Sequence, residues 1–142
     1  MKITNEIIDN LIEAANDARS KAYAPYSKFQ VGAALLTDDD EIISGCNVEN
    51  CSYGLTMCAE RNAVATAIVQ GKMDFKAMVI VADMNRPIMP CGACRQVLAE
   101  FNPSMLIVCV GTGGKRLELT VSDLLPASFT PADLNDKTLN LD

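Results

Sequence analysis

Apolar residues near the start of the chain recur every three or four positions, from Ile3 to Ala18. This spacing gathers them on one face of a helix, and Thr4 or Asn5 is placed to cap the first turn. The pattern therefore predicts an amphipathic helix, and Pro25 marks the end of the helical region.

Two further apolar runs, at 29–36 and 42–48, lie on either side of the acidic run Asp38–Asp40. Both runs have the length and composition of strands, and the polar residues between them are typical of a turn. The sequence therefore predicts a β-hairpin after the first helix.

The second half of the chain alternates between helical and extended patterns. Continuous apolar runs are typical of buried strands, and glycine or proline ends the helical stretches. The predicted elements are a helix at 58–70 closed by Gly71, a strand at 77–82, a helix at 91–101 ended before Pro103, and strands at 105–110 and 116–121. Helices that alternate with strands pack on the faces of a sheet through right-handed crossovers, which predicts a layered α/β domain.

The composition is that of a single globular domain. The chain has 142 residues, of which 49% are hydrophobic and 21% charged, enough to bury one core and too apolar for a disordered segment. No internal repeat or linker divides the sequence, so we expect one domain over 1–142, with a short C-terminal tail from about 127.

Charge and cysteine content narrow the partners and the compartment. The net charge is -6, and no basic cluster is present that could bind a nucleic-acid polymer. Acidic residues such as Glu6 interrupt the opening helix, so we expect neither a signal peptide nor a membrane span, and a cytoplasmic location. In that reducing compartment, six cysteines favour metal binding or catalysis over disulfides.

Three cysteines lie where predicted helices begin. Cys58 opens one helix, and Cys91 and Cys94 follow Pro90 at the start of the next, three positions apart. Helix starts favour negative charge, which stabilises thiolates as metal ligands. The chain has no histidine, so these cysteines predict a zinc site with three protein ligands and an open fourth position, the arrangement of catalytic zinc.

The other three cysteines leave an alternative open, because any of them could in principle complete a closed site. Cys46 and Cys109 fall inside apolar strand patterns, where a cysteine packs as a small hydrophobic residue. The pattern assigns no role to Cys51.

Glu60 and Arg61 follow Cys58 by two and three positions. Residues two apart on a helix do not share a face, so Glu60 is better placed for proton transfer beside zinc-bound water than for binding the metal of Cys58. Three thiolates outweigh the charge of Zn²⁺, and we infer that the Arg61 guanidinium hydrogen-bonds cysteine sulfurs and offsets part of that excess.

Together, Cys58–Arg61 and Pro90–Gln96 resemble the zinc-binding motifs of the small cytidine deaminases. The resemblance extends to Tyr26–Ala34, Gly45–Asn50 and Leu124–Pro126, and so covers almost the whole chain. It implies a three-layer α/β/α sandwich with a mixed sheet of about five strands. It also implies zinc-dependent hydrolytic deamination of cytidine and deoxycytidine in nucleoside salvage, one zinc per subunit, and a homotetramer with shared active sites.

The same resemblance implies roles for individual residues. Cys58, Cys91 and Cys94 would hold zinc, and Glu60 would move protons between water, the pyrimidine N3 and the departing ammonia. The residues implied to contact substrate are Phe29 and the Ala59 backbone at the base, Asn47 and Glu49 at the ribose hydroxyls, and Tyr53 and Phe129 as aromatics contributed across subunit interfaces.

Simpler interpretations compete with several of these roles. Cys91 and Cys94 alone fit a redox pair or half of a structural zinc ribbon, and Cys58 with Glu60 argues against both. By pattern alone, Phe29 is a core residue of a strand start, and Asn47 with Glu49 suits either a sugar-binding edge or solvent.

Three functions therefore stay open on the sequence. The first is a cytidine and deoxycytidine deaminase, and the second is a deaminase of another aminopyrimidine compound, such as a nucleoside antibiotic. The third is a non-catalytic zinc or thiol module. Asn47 and Glu49 favour the first over the second, because they suit a ribose.

Overall fold

A mixed five-stranded sheet forms the centre of the computed structural model, which describes residues 3–135. In chain order the elements are α1 (Asn5–Arg19), β1 (Val31–Thr37), β2 (Ile42–Cys46), α2 (Ala59–Val69), β3 (Phe75–Ala82), α3 (Gly92–Phe101), β4 (Leu106–Val110), β5 (Arg116–Thr120), α4 (Val121–Leu124) and α5 (Pro131–Leu134).

The strand order is β2-β1-β3-β4-β5. Strand β1 pairs antiparallel with β2 and with β3, in a register that places Ala33 opposite Gly45 and Ile80. The β3 and β4 pair is parallel and is connected through α3, whereas β4 and β5 pair antiparallel. The predicted hairpin and the predicted crossover are both present.

The helices cover both faces of this sheet. On one face, α1 packs its buried residues Ile8, Leu11 and Ala15 against strand residues that include Val79 and Val81. On the other face, Ala63 and Ala67 of α2 and Leu98 of α3 pack against the alternate residues of the same strands, which include Leu35, Met78 and Ile80. Because side chains alternate across a strand, one sheet supplies both cores, and the predicted three-layer α/β/α sandwich is confirmed.

Two glycines allow helices to lie close to the sheet. A β-carbon on Gly32 would stand 1.9 Å from the Ala15 carbonyl oxygen of α1. A β-carbon on Gly45 would stand 2.5 Å from the backbone nitrogen of Ala63 in α2. Because no such contact is tolerated, glycine at these positions sets the depth at which α1 and α2 dock.

The helix starts agree closely with the predictions. The Thr4 hydroxyl accepts a hydrogen bond from the Ile7 amide at 3.2 Å and caps α1. Cys58 and Cys91 occupy the N-cap positions of α2 and α3, but neither thiol caps its own helix. Both sulfurs therefore remain available for other contacts.

The ends of the hairpin differ from the predicted 29–36 and 42–48. The Asn47 amide still donates to the Val31 carbonyl of β1, but Val48 then forms isolated bridges with Tyr23 and Met57. These partners are distant in sequence and carry no periodic signal, so the pattern extended β2 too far. The short helices α4 and α5 were also not predicted.

The predicted tail from about 127 is described only in part, because residues 136–142, like residues 1–2, lie outside the described range. In the described part of this tail, the Phe129 carbonyl accepts a hydrogen bond from Gln96 Nε2 of α3 at 2.9 Å. Among residues 3–135, no helix has the length and apolar character needed to cross a lipid bilayer.

Candidate active site

Three thiols meet where α2 and α3 begin. The Sγ atoms of Cys58, Cys91 and Cys94 all lie within 4.8 Å of one another. Cys58 Sγ is 4.0 Å from Cys91 Sγ, and Cys91 Sγ is 3.5 Å from Cys94 Sγ. The fold thus brings two distant cysteine segments together as the sequence predicts.

These separations fit a zinc ion. Tetrahedral geometry with Zn–S bonds of about 2.3 Å places sulfurs about 3.8 Å apart, and the two measured separations bracket that value. In the part of the chain that the structure describes, no fourth cysteine and no carboxylate joins the cluster. The donor set is therefore that of an open catalytic site and not of a closed structural one.

The remaining cysteines lie elsewhere. Cys109 is buried in the core below α2 and α3, and burial raises the pKa of its thiol to about 12. It packs as a small hydrophobic residue, as predicted. Cys46 is half-buried at the end of β2 and Cys51 is exposed, and both thiols are free.

Arg61 contacts the thiol cluster. Its Nη2 donates a hydrogen bond to Cys58 Sγ at 3.4 Å, while its Nε is buried without a hydrogen-bond partner among the described residues. Hydrogen bonds from the Cys94 thiol and then from Arg61 lower the pKa of Cys58 to about 5. Hydrogen bonding to Cys58, together with burial, raises the pKa of the Cys94 thiol. Of the two thiols, Cys58 therefore loses its proton more readily.

Glu60 lies in the first turn of α2 and is only 5% exposed. Burial, followed by the nearby charge of Cys58, raises the pKa of its carboxyl group. A carboxyl group whose pKa is raised toward neutrality can both take up and release a proton, which is the requirement for a general acid and base.

An apolar cavity of about 230 Å³ opens onto these groups. Its lining includes Cys58, Glu60 and Cys91, and Ala59 and Asn47 also line it. Its remaining lining residues are Phe29, Val31, Thr56, Ile80, Ala82, Ile88 and Met89. Since ligand pockets commonly measure roughly 300–1,000 Å³, this inner cavity suits a single small ring.

A second cavity, of about 390 Å³, adjoins the first and is lined by Tyr26, Ser27, Glu49, Tyr53 and Thr56. Thr56 lines both cavities. We call them the inner and the outer cavity. A larger hollow of about 470 Å³ around Tyr23 and Lys28 contains none of the thiols and does not include Glu60.

The family model for the zinc-binding region of cytidine and deoxycytidylate deaminases matches residues 5–110. The chain belongs to this family. The cytidine deaminase of Halalkalibacterium halodurans is 54% identical to it over 127 residues, 89% of this chain and 96% of that protein. The cytidine deaminase of Sporosarcina psychrophila is 50% identical over 129 residues, 90% of this chain and 95% of that protein.

A solved structure supports the same assignment. The crystal structure of cytidine deaminase from Burkholderia pseudomallei matches with a TM-score of 0.84 and 48% sequence identity, over 89% of this chain and 100% of that one. The predicted resemblance to the cytidine deaminases and the predicted zinc cofactor are thereby confirmed. A redox pair and a structural zinc ribbon no longer fit the protein.

In this deaminase, Asn47 is turned toward the backbone. It is 8% exposed; its Nδ2 donates to the Phe29 carbonyl at 2.8 Å, and its Oδ1 accepts from the Val31 amide at 2.9 Å. It lines the inner cavity, and these contacts fix the start of β1 beside it. Its predicted contact with a ribose hydroxyl stays a prediction.

Glu49 lines the outer cavity and accepts hydrogen bonds from the amides of Tyr26 and Ser27, at 3.0 and 3.1 Å. Its other oxygen accepts from the Ser27 hydroxyl. The Ser27 hydroxyl first, and then these amides, lower the pKa of the Glu49 carboxyl group. Glu49 is therefore an ionised acceptor facing the space next to the inner cavity.

The two aromatic residues predicted to act across subunits lie apart. Tyr53 is 75% exposed, lines the outer cavity and packs edge-on against Tyr26, with ring centroids 5.9 Å apart. Phe129 is 57% exposed and lines neither cavity of its own chain.

The sequence assigned no role to several residues that line the cavities. Ser27 and Tyr26 stand beside Phe29 in the motif of the resemblance, and Ile88 and Met89 directly precede Pro90. Proximity to a motif was thus the available signal. Thr56 had none, because only the folded chain places it between the two cavities.

Proposed function

We propose that this protein catalyses the zinc-dependent hydrolytic deamination of cytidine and deoxycytidine to uridine and deoxyuridine, with release of ammonia. One observation carries the proposal. A buried carboxyl group, Glu60, lines an apolar cavity of single-ring size together with Cys58 and Cys91, two of three convergent thiols.

When held by Cys58, Cys91 and Cys94, zinc supplies a Lewis acid that lowers the pKa of water. Glu60 accepts the proton that the water loses and delivers it to the pyrimidine N3. The water oxygen bonds to C4, and the second proton of that water passes through the same carboxyl group to the exocyclic amine. The C4–N bond then breaks, ammonia leaves and C4 keeps the oxygen as a carbonyl. Burial raises the pKa of Glu60, which suits this carboxyl group to both proton transfers.

The inner cavity receives the pyrimidine ring. Phe29 packs against the base, and the backbone of Ala59 contacts its edge. Apolar walls such as Ile80 and Met89 exclude water from the reacting atoms. Because Cys58, Glu60 and Cys91 line this cavity, the ring binds with its amino-bearing carbon toward them.

The outer cavity receives the sugar. The ionised Glu49 carboxylate accepts a hydrogen bond from a sugar hydroxyl, and Asn47 lies between the sugar and the base. The residues lining these two cavities include no lysine or arginine, so a substrate phosphate would meet the Glu49 carboxylate without a compensating cation. Nucleosides are thus favoured over nucleotides.

The proposal includes a homotetramer in which neighbouring subunits complete each site. Phe129 is more than half exposed but lines no cavity of its own chain, and Leu55 and Val69 are exposed apolar residues as well. Burial of such residues against a second copy would remove apolar surface from water. The native mass, measured by light scattering, distinguishes a tetramer from a monomer.

We also infer a cytoplasmic location. All six cysteines are free thiols, and Cys51 and Cys91 are exposed. An oxidising compartment would threaten these thiols, whereas a reducing one preserves the zinc ligands. Fractionation of cells that express the native protein tests this inference.

The decisive experiment measures the loss of cytidine absorbance and the zinc content of the same preparation. Glu60→Gln should keep one zinc per chain and lose turnover, because the amide cannot accept the proton. Glu100→Gln, an exposed position at the end of α3, is the matched control and should keep both. Full turnover in Glu60→Gln would refute the mechanism.

A further inference from the structure

The segment that carries Phe29 into the inner cavity contains an unusual backbone position. Lys28 has a positive φ of 61°, a conformation that costs energy for a residue with a β-carbon. The Lys28 amide donates to the Ala24 carbonyl at 3.0 Å, which closes the turn on one side. Other contacts must hold the turn on the Phe29 side.

The Ser27 hydroxyl supplies those contacts. It accepts a hydrogen bond from the Phe29 amide at 3.0 Å, and so bridges the strained Lys28. The same hydroxyl donates to one oxygen of Glu49. One side chain is thus bonded both to the residue that lines the inner cavity and to the carboxylate that lines the outer cavity.

The contacts of Glu49 limit what else it can bind. A carboxylate has about four acceptor positions, and the Tyr26 amide, the Ser27 amide and the Ser27 hydroxyl use three. About one position is left for a ligand. Its direction depends on the Ser27 hydroxyl, because that bond fixes the rotation of the carboxylate.

Phe29 is fixed from its other side as well. Its carbonyl accepts from Asn47 Nδ2, so both polar groups of the Phe29 backbone are held by side chains. Asn47 and Glu49 belong to the same short segment, which is bonded to Tyr23 on both sides of Val48. The segment at 23–31 and the segment at 47–49 therefore form one hydrogen-bonded unit.

We propose that Ser27 is a positioning residue of the pocket: its hydroxyl couples the Glu49 carboxylate to Phe29 and so sets the spacing between the bound sugar and the bound base. This inference rests on the proposed function, since it concerns a nucleoside that occupies both cavities. Ser27 lines the outer cavity and belongs neither to the lining of the inner cavity nor to the thiol cluster. Its effect is therefore on binding rather than on the chemical step.

The test compares the KM and kcat of Ser27→Ala, Ser27→Thr and the matched control Ser20→Ala with cytidine as substrate. Ser20 is an exposed serine whose hydroxyl bonds locally to the Asp17 carbonyl at the end of α1. We expect Ser27→Ala to raise KM about tenfold and to change kcat less than about threefold, because it loses both the charge-assisted hydrogen bond to Glu49 and the bond from the Phe29 amide. Ser27→Thr keeps the hydroxyl and should restore most of KM, and Ser20→Ala should match the parent.

The coupling is tested by adding Glu49→Gln. If Ser27 acts through Glu49, Ser27→Ala should change KM much less in the Glu49→Gln background than in the parent. Equal effects in both backgrounds, an unchanged KM in Ser27→Ala, or a loss confined to kcat would each overturn the inference. Should Ser27→Ala fail to fold, Ser27→Cys, which keeps the shape with a weaker hydrogen bond, takes its place with the same expectations.

The two proposals fail in distinguishable ways. A parent protein that does not deaminate cytidine refutes the proposed function and the Ser27 inference together. An active parent with unchanged KM in Ser27→Ala refutes the Ser27 inference alone.

Discussion

The inner and outer cavities are built in different ways. The inner cavity ends at two helix starts, where Cys58, Glu60 and Cys91 are fixed by backbone geometry within a few residues of each motif. The outer cavity is formed by two loops, and its central contact joins Ser27 to Glu49 across 22 residues of sequence. Residues at helix starts thus hold the reactive groups, whereas residues on hydrogen-bonded loops shape the space for the rest of the substrate. Changes in the inner cavity should therefore act on kcat and zinc, and changes in the outer cavity on KM.

The largest effect is expected from Cys91→Ser, which removes a zinc ligand at the inner cavity. A hydroxyl is a poor zinc ligand compared with a thiolate, so the zinc content should fall well below one ion per chain. Turnover should fall by roughly 10³-fold or more. Metal analysis and the absorbance assay measure both.

Cys51→Ser is the matched control for this variant, because Cys51 is exposed and lies outside the thiol cluster. It should keep zinc and turnover. Loss of zinc in Cys51→Ser would mean that a fourth protein ligand closes the site, as in the non-catalytic zinc module.

Arg61→Gln should have the next largest effect. The guanidinium donates to Cys58 Sγ, and without it the three thiolates leave zinc a weaker Lewis acid. Partners of metal ligands typically contribute 10–100-fold, so we expect kcat to fall by roughly that factor with zinc still bound. Arg116→Gln, an exposed position on β5, should leave kcat unchanged. Parental kcat in Arg61→Gln would refute the proposed charge compensation.

The positions of these inner-cavity residues at helix starts are also what the sequence predicted well, whereas their catalytic roles stay predictions. The local signals are the cysteines at helix starts, Pro90 before one of them and Glu60 in a first turn. The structure places each at the predicted N-terminal end of its helix. The apolar strands were predicted for the same reason, since a continuous apolar run is visible within five residues. Gly71, with a φ of 80°, ends the α2 region as predicted.

The outer cavity was less predictable because its contacts are non-local. Nothing in the periodicity of 42–48 indicates that Val48 leaves β2 to bridge Tyr23 and Met57. Nor does any local pattern join Ser27 to Glu49. Only the resemblance pointed to Asn47 and Glu49, and it did so without the hydrogen bonds that hold them.

Glu49→Gln tests the sugar role of the outer cavity. Loss of one charge-assisted hydrogen bond should raise the KM for cytidine about tenfold. For 2′,3′-dideoxycytidine, which lacks the two hydroxyls, the same substitution should change KM little. Glu13→Gln, an exposed position on α1, is the matched control. Equal effects on both substrates would contradict the predicted sugar contact.

The smallest effect is expected from Phe129→Ala, which asks whether the outer cavity is completed by another subunit. Loss of a partial aromatic contact of about 1 kcal/mol would raise KM about fivefold without lowering zinc content. Met73→Ala is the control, because Met73 is 62% exposed and precedes β3, at the end of that strand away from the site.

A mixture of the Glu60→Gln and Phe129→Ala variants tests directly whether Phe129 completes the site of a neighbouring subunit. In tetramers assembled from Glu60→Gln and Phe129→Ala subunits, some sites combine Glu60 of one chain with Phe129 of a neighbour. Those sites should recover the parental KM, because the inner cavity comes from one subunit and the aromatic from another. If the mixture keeps the raised KM of Phe129→Ala while light scattering shows mixed tetramers, Phe129 does not reach a neighbouring site. The outer cavity would then be complete within each subunit.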